Sequence, residues 1–198
     1  MRERIVFPVI DEFRKSYGFL IREAVARLKR MAVRVRWYGW HRSRSELPEK
    51  VKNVLFVCKG NICRSPLAEI YLRSRLKSGC GITVRSAGLD TTNGKPAHHF
   101  AKMVAKQHGL TLDLHLTTQM ARKMVEEADL ILVMELSQLV SLLKLCPRVR
   151  SKAFVLSEFN NGKRMDIADP FSGTIEDFKK CFQVIRDACD SLADKIKA

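Results

Sequence analysis

A chain of 198 residues with 46% hydrophobic and 29% charged side chains can bury one core with an appendage, but is short for two full domains. No apolar run approaches the roughly 20 residues of a membrane-spanning helix. Arg2, Glu3 and Arg4 precede only a short apolar patch, so a cleaved signal peptide is not expected either. Thirty-six Lys and Arg against 21 Asp and Glu leave a net +15, which suits an anionic partner (nucleic acid, acidic lipid, a phosphorylated protein) without selecting among them.

Residues 1–50 hold 13 basic and 6 acidic side chains, net +7, so a quarter of the chain carries nearly half the excess. Within Ile10–Val35, apolar residues such as Phe13, Tyr17, Leu20, Ile21, Ala24, Leu28 and Met31 recur at three- and four-residue spacing. At about 100° per residue they share an arc of roughly 140°, with Lys15, Arg22, Lys29, Arg30 and Arg34 outside it. This predicts a basic amphipathic helix, followed by Trp37-Tyr38-Gly39-Trp40 and a polar linker, His41–Lys50, containing Pro48. Residues 1–50 are therefore expected to form an extension to a domain over 51–198. Through residues 10–40 it could contact an anionic membrane surface or a protein partner, or simply pack as a helix. Nucleic acid is not expected, because no zinc pattern, RNA signature or helix-turn-helix spacing accompanies the charge.

From Val51 onward strand and helix signals alternate. Val51–Cys58 is a β-branched and aromatic run suited to a buried parallel strand. Helix is predicted over Pro66–Lys77, strand over Ile82–Ser86, then helices over Pro96–His108 and Thr117–Ala128. Leu130–Met134 reads as a third strand, Ser137–Leu145 as a helix, Lys152–Leu156 as a fourth strand, and Thr174–Lys197 as a long final helix with a capping-box pattern at Thr174…Asp177. The alternation implies an α/β three-layer sandwich, its four-stranded parallel sheet covered on both faces in the flavodoxin-like manner.

The chemistry concentrates in Cys58-Lys59-Gly60-Asn61-Ile62-Cys63-Arg64-Ser65-Pro66, between the first strand and the first helix. There a helix N-terminus offers unpaired N–H groups to an anion at the carboxyl end of a strand. Gly60 and Asn61 tolerate the left-handed backbone that turns successive N–H groups inward. Such a loop would cradle a tetrahedral oxyanion over Cys58, with Arg64 gripping two oxygens. The donors and the guanidinium favour the thiolate, which in line with phosphorus accepts a phosphoryl group covalently. A cysteine, five intervening residues and an arginine in this setting are hard to explain as packing alone.

Expelling a phenolate needs a proton donor at the same end of the sheet. Asp166-Ile167-Ala168-Asp169-Pro170-Phe171 follows the fourth strand, and Pro170 restricts Asp169 to extended backbone that would fix its carboxyl. The same carboxylate could then activate the water that cleaves the intermediate. No metal is called for, since N–H dipoles and Arg64 already neutralise the phosphate.

These segments resemble the low-molecular-weight protein-tyrosine phosphatase family. Within it, the chain is most similar to the bacterial branch partnered with tyrosine kinases of capsule and exopolysaccharide synthesis. The likeness runs from about Asn53 to the C-terminus and includes Val84-Arg85-Ser86-Ala87-Gly88-Leu89, Met134-Glu135 and Ile167-Ala168-Asp169-Pro170. It implies Cys58 as nucleophile, Arg64 as phosphate-binding residue and Asp169 as general acid, then base. It implies that Lys59, Gly60, Asn61, Ile62, Cys63, Ser65 and Phe171 surround the substrate, and that Asn61, Ser65, Ser86 and His115 hold the loop in shape. It also implies that Ser65 stabilises the leaving thiolate, that Cys63 can form a reversible disulfide with Cys58, and that neither cofactor nor metal is used. A tyrosine autokinase would be a partner, in the cytoplasm or at the membrane periphery.

Departures from the family pattern are Phe171 for a tyrosine, Thr118 for an arginine, and Lys59 at a position often apolar. Rival readings are a protein arginine phosphatase, whose members carry threonine where Ile62 stands; an arsenate reductase, for which Cys146 would lack a second thiol; and a non-catalytic phosphate-binding scaffold led by the basic helix. Six cysteines at positions 58, 63, 80, 146, 181 and 189, in apolar segments without a secretion signal, are expected as reduced thiols.

Overall fold

The computed structural model describes residues 47–76, 79–160 and 166–196. Contacts divide the chain into Met1–Glu46 and Leu47–Ala198. The helix predicted over 10–35, the aromatic run at 37–40 and most of the predicted linker lie outside the described residues.

The sheet has four strands: β1 (Asn53–Cys58), β2 (Thr83–Gly88), β3 (Leu130–Val133) and β4 (Ala153–Val155). All pairs are parallel, in the order β2-β1-β3-β4. Both faces are covered, so β1 is buried residue after residue rather than alternately. Val54, Phe56 and Cys58 face a cluster contributed by α1 (Arg64–Arg75), α2 (His99–Gln107) and α5 (Ile175–Ile196), including Leu67, Leu72, Val104, Phe178, Phe182 and Ile185. The intervening Leu55 and Val57 are equally buried outside that cluster. The remaining helices are α3 (Arg122–Glu127) and α4 (Leu136–Leu145). Leu47 and Val51 pack against the domain as partly buried side chains.

Topology fixes where the chemistry gathers. The chain leaves β1 for β2 on one side and returns to β3 on the other, so the strand order reverses at β1. The loops leaving β1 and β3 diverge there and open a crevice at their carboxyl ends.

Two predicted helices are shorter than expected, for tertiary reasons. Helix was expected over Thr117–Ala128, yet only Arg122–Glu127 forms. The Thr117 N–H is taken by Lys95 O at 2.8 Å, and Leu116 and Gln119 form bridges with Pro96 and Gly88, which hold the segment extended. The helix expected from Pro96 starts at His99, capped by the His98 ring, whose Nδ1 accepts the Phe100 N–H at 3.2 Å. At α5 the expected capping box runs one way only. Asp177 accepts both the backbone N–H and the hydroxyl of Thr174 at 2.8 Å, and these two bonds hold its carboxyl below the usual carboxylate range.

Candidate active site

The segment between β1 and α1 folds back over the end of its own strand. Its left-handed residue is Asn61, with φ +53°. Gly60, expected to share that conformation, does not adopt it, and a Cβ there would come no closer than 3.4 Å to Ile62. The glycine that this loop needs lies on the neighbouring strand. A Cβ on Gly88 would stand 2.8 Å from the Thr91 methyl and 2.9 Å from the Lys59 carbonyl, so β2 presses directly on the loop.

At the floor of the crevice, Cys58 Sγ accepts the Asn61 N–H at 3.2 Å and lies 3.0 Å from Ser65 Oγ. The direction of the second bond follows from its surroundings. Asn61 Nδ2 donates to Ser65 Oγ at 2.9 Å and to Ser86 Oγ at 2.8 Å, and Ser86 in turn donates to Glu69. The Ser65 hydrogen has two acceptors in reach, Ala87 O at 3.5 Å and the sulfur at 3.0 Å, of which the sulfur is the nearer. Both groups at Cys58 are thus donors, the arrangement that suits a sulfur carrying negative charge. The Asn61 carbonyl is held by His115 Nε2 at 2.8 Å, and its side-chain Oδ1 by the Thr118 N–H at 2.9 Å. Asn61, Ser65, Ser86 and His115 therefore form one connected network behind the loop, while the exchanged side chain of Thr118 is bypassed by its backbone.

Arg64 is 1% exposed. Its Nη1 donates to the Glu135 carboxylate and to Ile167 O (2.9 Å), and its Nη2 to Asp169 Oδ2 (2.7 Å). Burial opposes its charge, but the Glu135 hydrogen bond and the fields of Asp169, Cys58 and Glu135 outweigh that and lift its pKa above the ordinary guanidinium value. Its Nε is buried and has no hydrogen-bond partner. An orphaned guanidinium donor beside a cysteine sulfur is a site built to receive an oxyanion.

These groups surround a cavity of about 230 Å³. It brings together Cys58, Lys59, Gly60, Ile62, Cys63, Arg64, Asp169 and Phe171, all expected from the sequence, with Asp90 from the segment that follows β2. Asn61 and Ser65, expected around the substrate, are fully buried and support the loop from behind. Asp169 Oδ1 accepts the Phe171 N–H at 3.3 Å, so the Asp-Pro-Phe turn fixes both its carboxylate and the exposed Phe171 ring. The Cys63 thiol is pushed up, mainly by burial, with further contributions from Asp169 and Cys58, and the buried Cys181 thiol on α5 is pushed up to about 12 by burial. All six cysteines are free.

The sequence reading includes Glu135 only within Met134-Glu135 and gives it no role, and it does not single out Glu69. Glu135 had a usable signal, since it follows β3 at the ligand-binding end of the sheet. Glu69 lies one helical turn beyond Ser65 and so shares its face of α1.

A parallel α/β sheet with an anion-receiving cysteine loop at its switch point defines a phosphatase-like class, and comparison with known proteins makes it specific. Residues 53–198 match the family model for low molecular weight phosphotyrosine protein phosphatase. The chain is 35% identical over 148 residues to a probable low molecular weight protein-tyrosine-phosphatase, EpsP, of Ralstonia nicotianae, covering 75% of this chain and 98% of that one. It is also 35% identical over 144 residues to a protein-arginine-phosphatase of Geobacillus stearothermophilus, covering 73% and 95%. Among solved structures, Vibrio vulnificus Wzb in complex with benzylphosphonate superposes with a TM-score of 0.68 at 34% identity, covering 73% of this chain and 99% of that one. The chain belongs to the low molecular weight phosphotyrosine protein phosphatase family.

Proposed function

We propose that the chain hydrolyses phosphotyrosine in proteins through a phosphocysteine intermediate on Cys58. The observation that carries this reading is the sulfur's setting: the Asn61 N–H at 3.2 Å and the Ser65 hydroxyl at 3.0 Å, with Arg64, whose Nε is unpartnered, lining the same cavity. The substrate phosphate lies in the loop, with its oxygens on the loop N–H groups and on Arg64. Cys58 attacks phosphorus, forming the S–P bond as the P–O bond to the tyrosine breaks. Asp169 gives its proton to the departing phenolate. Water then attacks phosphorus and delivers a proton to Asp169, and the sulfur leaves as thiolate onto the Asn61 N–H and the Ser65 hydroxyl. Ile62 and Phe171 give the cavity apolar walls for an aryl ring.

Ile62 also bears on the choice between a phosphotyrosine and a phosphoarginine substrate. A bulky apolar side chain on the cavity wall favours a tyrosine ester over a phosphorylated guanidinium, which needs polar partners. Steady-state kinetics on phosphotyrosine and phosphoarginine peptides, with and without EDTA, test the proposal. Preference for phosphotyrosine, insensitive to EDTA, is expected. Preference for phosphoarginine would move the chain to the other substrate class.

The resemblance to the capsule and exopolysaccharide branch leads us to propose a bacterial tyrosine autokinase as the counterpart enzyme. A cysteine nucleophile must stay reduced, which favours a cytoplasmic location. Among the described residues no helix is long and apolar enough to cross a membrane. The basic extension over residues 1–50 is proposed as the part that contacts a partner or an anionic membrane surface. Flotation with anionic liposomes of the full chain against a chain starting at Lys50 tests it, and equal partitioning would remove the lipid version.

A further inference from the structure

His98 does more than cap α2. Its backbone N–H donates to the carbonyl of Ile62, in the middle of the cysteine loop, at 2.8 Å. Its ring lies flat on Phe178, with centroids 4.7 Å apart and planes 16° apart, and meets Phe171 edge-on at 5.8 Å and 66°. Phe178 is fully buried in the core, whereas Phe171 is 54% exposed and lines the cavity. The His98 ring thus joins a fully buried aromatic in the core to the aromatic that a substrate would meet. Without a ring at position 98, Phe171 would lose this edge-to-face support and be left to the Asp169 turn.

We propose that His98 is a positioning residue for the aryl group of the substrate. Through Phe171 it sets the pocket wall, and through Ile62 it ties that wall to the phosphate loop, so that the enzyme selects aryl over alkyl phosphate esters. The inference rests on the phosphatase reading above and adds the group that makes it aryl-selective. His98 itself touches neither the phosphate nor the sulfur; it acts through Phe171.

Steady-state kinetics with p-nitrophenyl phosphate and a phosphotyrosine peptide, together with inhibition by inorganic phosphate, test it. His98→Ala is expected to raise KM for both aryl substrates about three- to tenfold, the range one lost aromatic pair gives. Its kcat should stay within about twofold. The inhibition constant of inorganic phosphate, which uses the loop and not the wall, should not change. His98→Phe, which keeps a ring and loses the capping nitrogen, should restore KM, whereas His98→Asn, which keeps a capping acceptor and loses the ring, should not. An unchanged KM in His98→Ala overturns the inference. So does rescue by Asn in place of Phe, or weakening of phosphate inhibition in step with KM, since either would make the role capping or loop support. Absence of Cys58-dependent turnover in the unsubstituted chain would overturn the phosphatase reading and this inference with it, whereas an active enzyme indifferent to His98→Ala overturns this inference alone.

Discussion

The two loops that meet at the carboxyl end of the sheet are built in opposite ways. The Cys58–Ser65 loop is mostly buried and is tied by side chains of Ser65, Ser86 and His115 through Asn61, with β2 pressed against it at Gly88. The Asp166–Phe171 segment is largely exposed. Its Asp169 side chain is 41% exposed and is held by one ion pair to Arg64 and one turn to Phe171. A cradle for a charged group gains by being rigid beforehand, since its dipoles need not reorganise when charge arrives. The general acid and base proposed for Asp169, which would exchange protons with a leaving oxygen and then with water, gains by standing in the open.

That contrast sorts the expected effects of substitution. Cys58→Ser should remove turnover altogether while oxyanion binding persists, measurable by an activity assay together with calorimetric titration with inorganic phosphate. Asp169→Ala should slow phosphotyrosine hydrolysis by about 10²–10⁴-fold but p-nitrophenyl phosphate far less, because that leaving group needs little protonation. Equal loss on both substrates would contradict the division of labour between the loops. Asn61→Ala removes the link between Ser65 and Ser86 and should lower kcat by about 10²–10³-fold, the scale on which one preorganised donor acts, with a smaller change in KM. Gly88→Ala forces β2 away from the Lys59 carbonyl and should cost about 1–3 kcal/mol of stability, read by urea denaturation.

The smallest effect is expected at the start of α5. Asp177's carboxyl is held low by its Thr174 bonds, so its contribution to stability is complete above pH of about 4 and is lost as the pH falls through the lowered value. Asp177→Asn should therefore lower the melting temperature slightly at neutral pH and leave a shallower acid limb.

How much of this was legible in the sequence tracks the range of the interactions involved. The cysteine loop was readable because a strand end, a left-handed residue and a helix start are local and adjacent. The sheet was readable because strands buried on both faces are apolar throughout. The partners of Arg64 were not, since Glu135 and Asp169 reach it across separations of 71 and 105 residues, although the Asp-Pro pair had marked Asp169 independently. Thr117–Met120 was misread for the same reason: its helical composition is overridden by bonds to the distant Lys95 and Gly88. The need for glycine is expected at Gly60, where a Cβ would meet only the Ile62 side chain at 3.4 Å, and is found at Gly88, where packing between strand and loop leaves no room for one. His98 gave no local signal at all, because its role depends on rings at 171 and 178.

Rapid-quench kinetics with an activated aryl phosphate test the covalent step most directly. The expected result is a burst of about one equivalent of phenol per enzyme, with phosphate recovered on the peptide that contains Cys58. A linear release with no phosphate on that peptide, or with label on another residue, would contradict the mechanism.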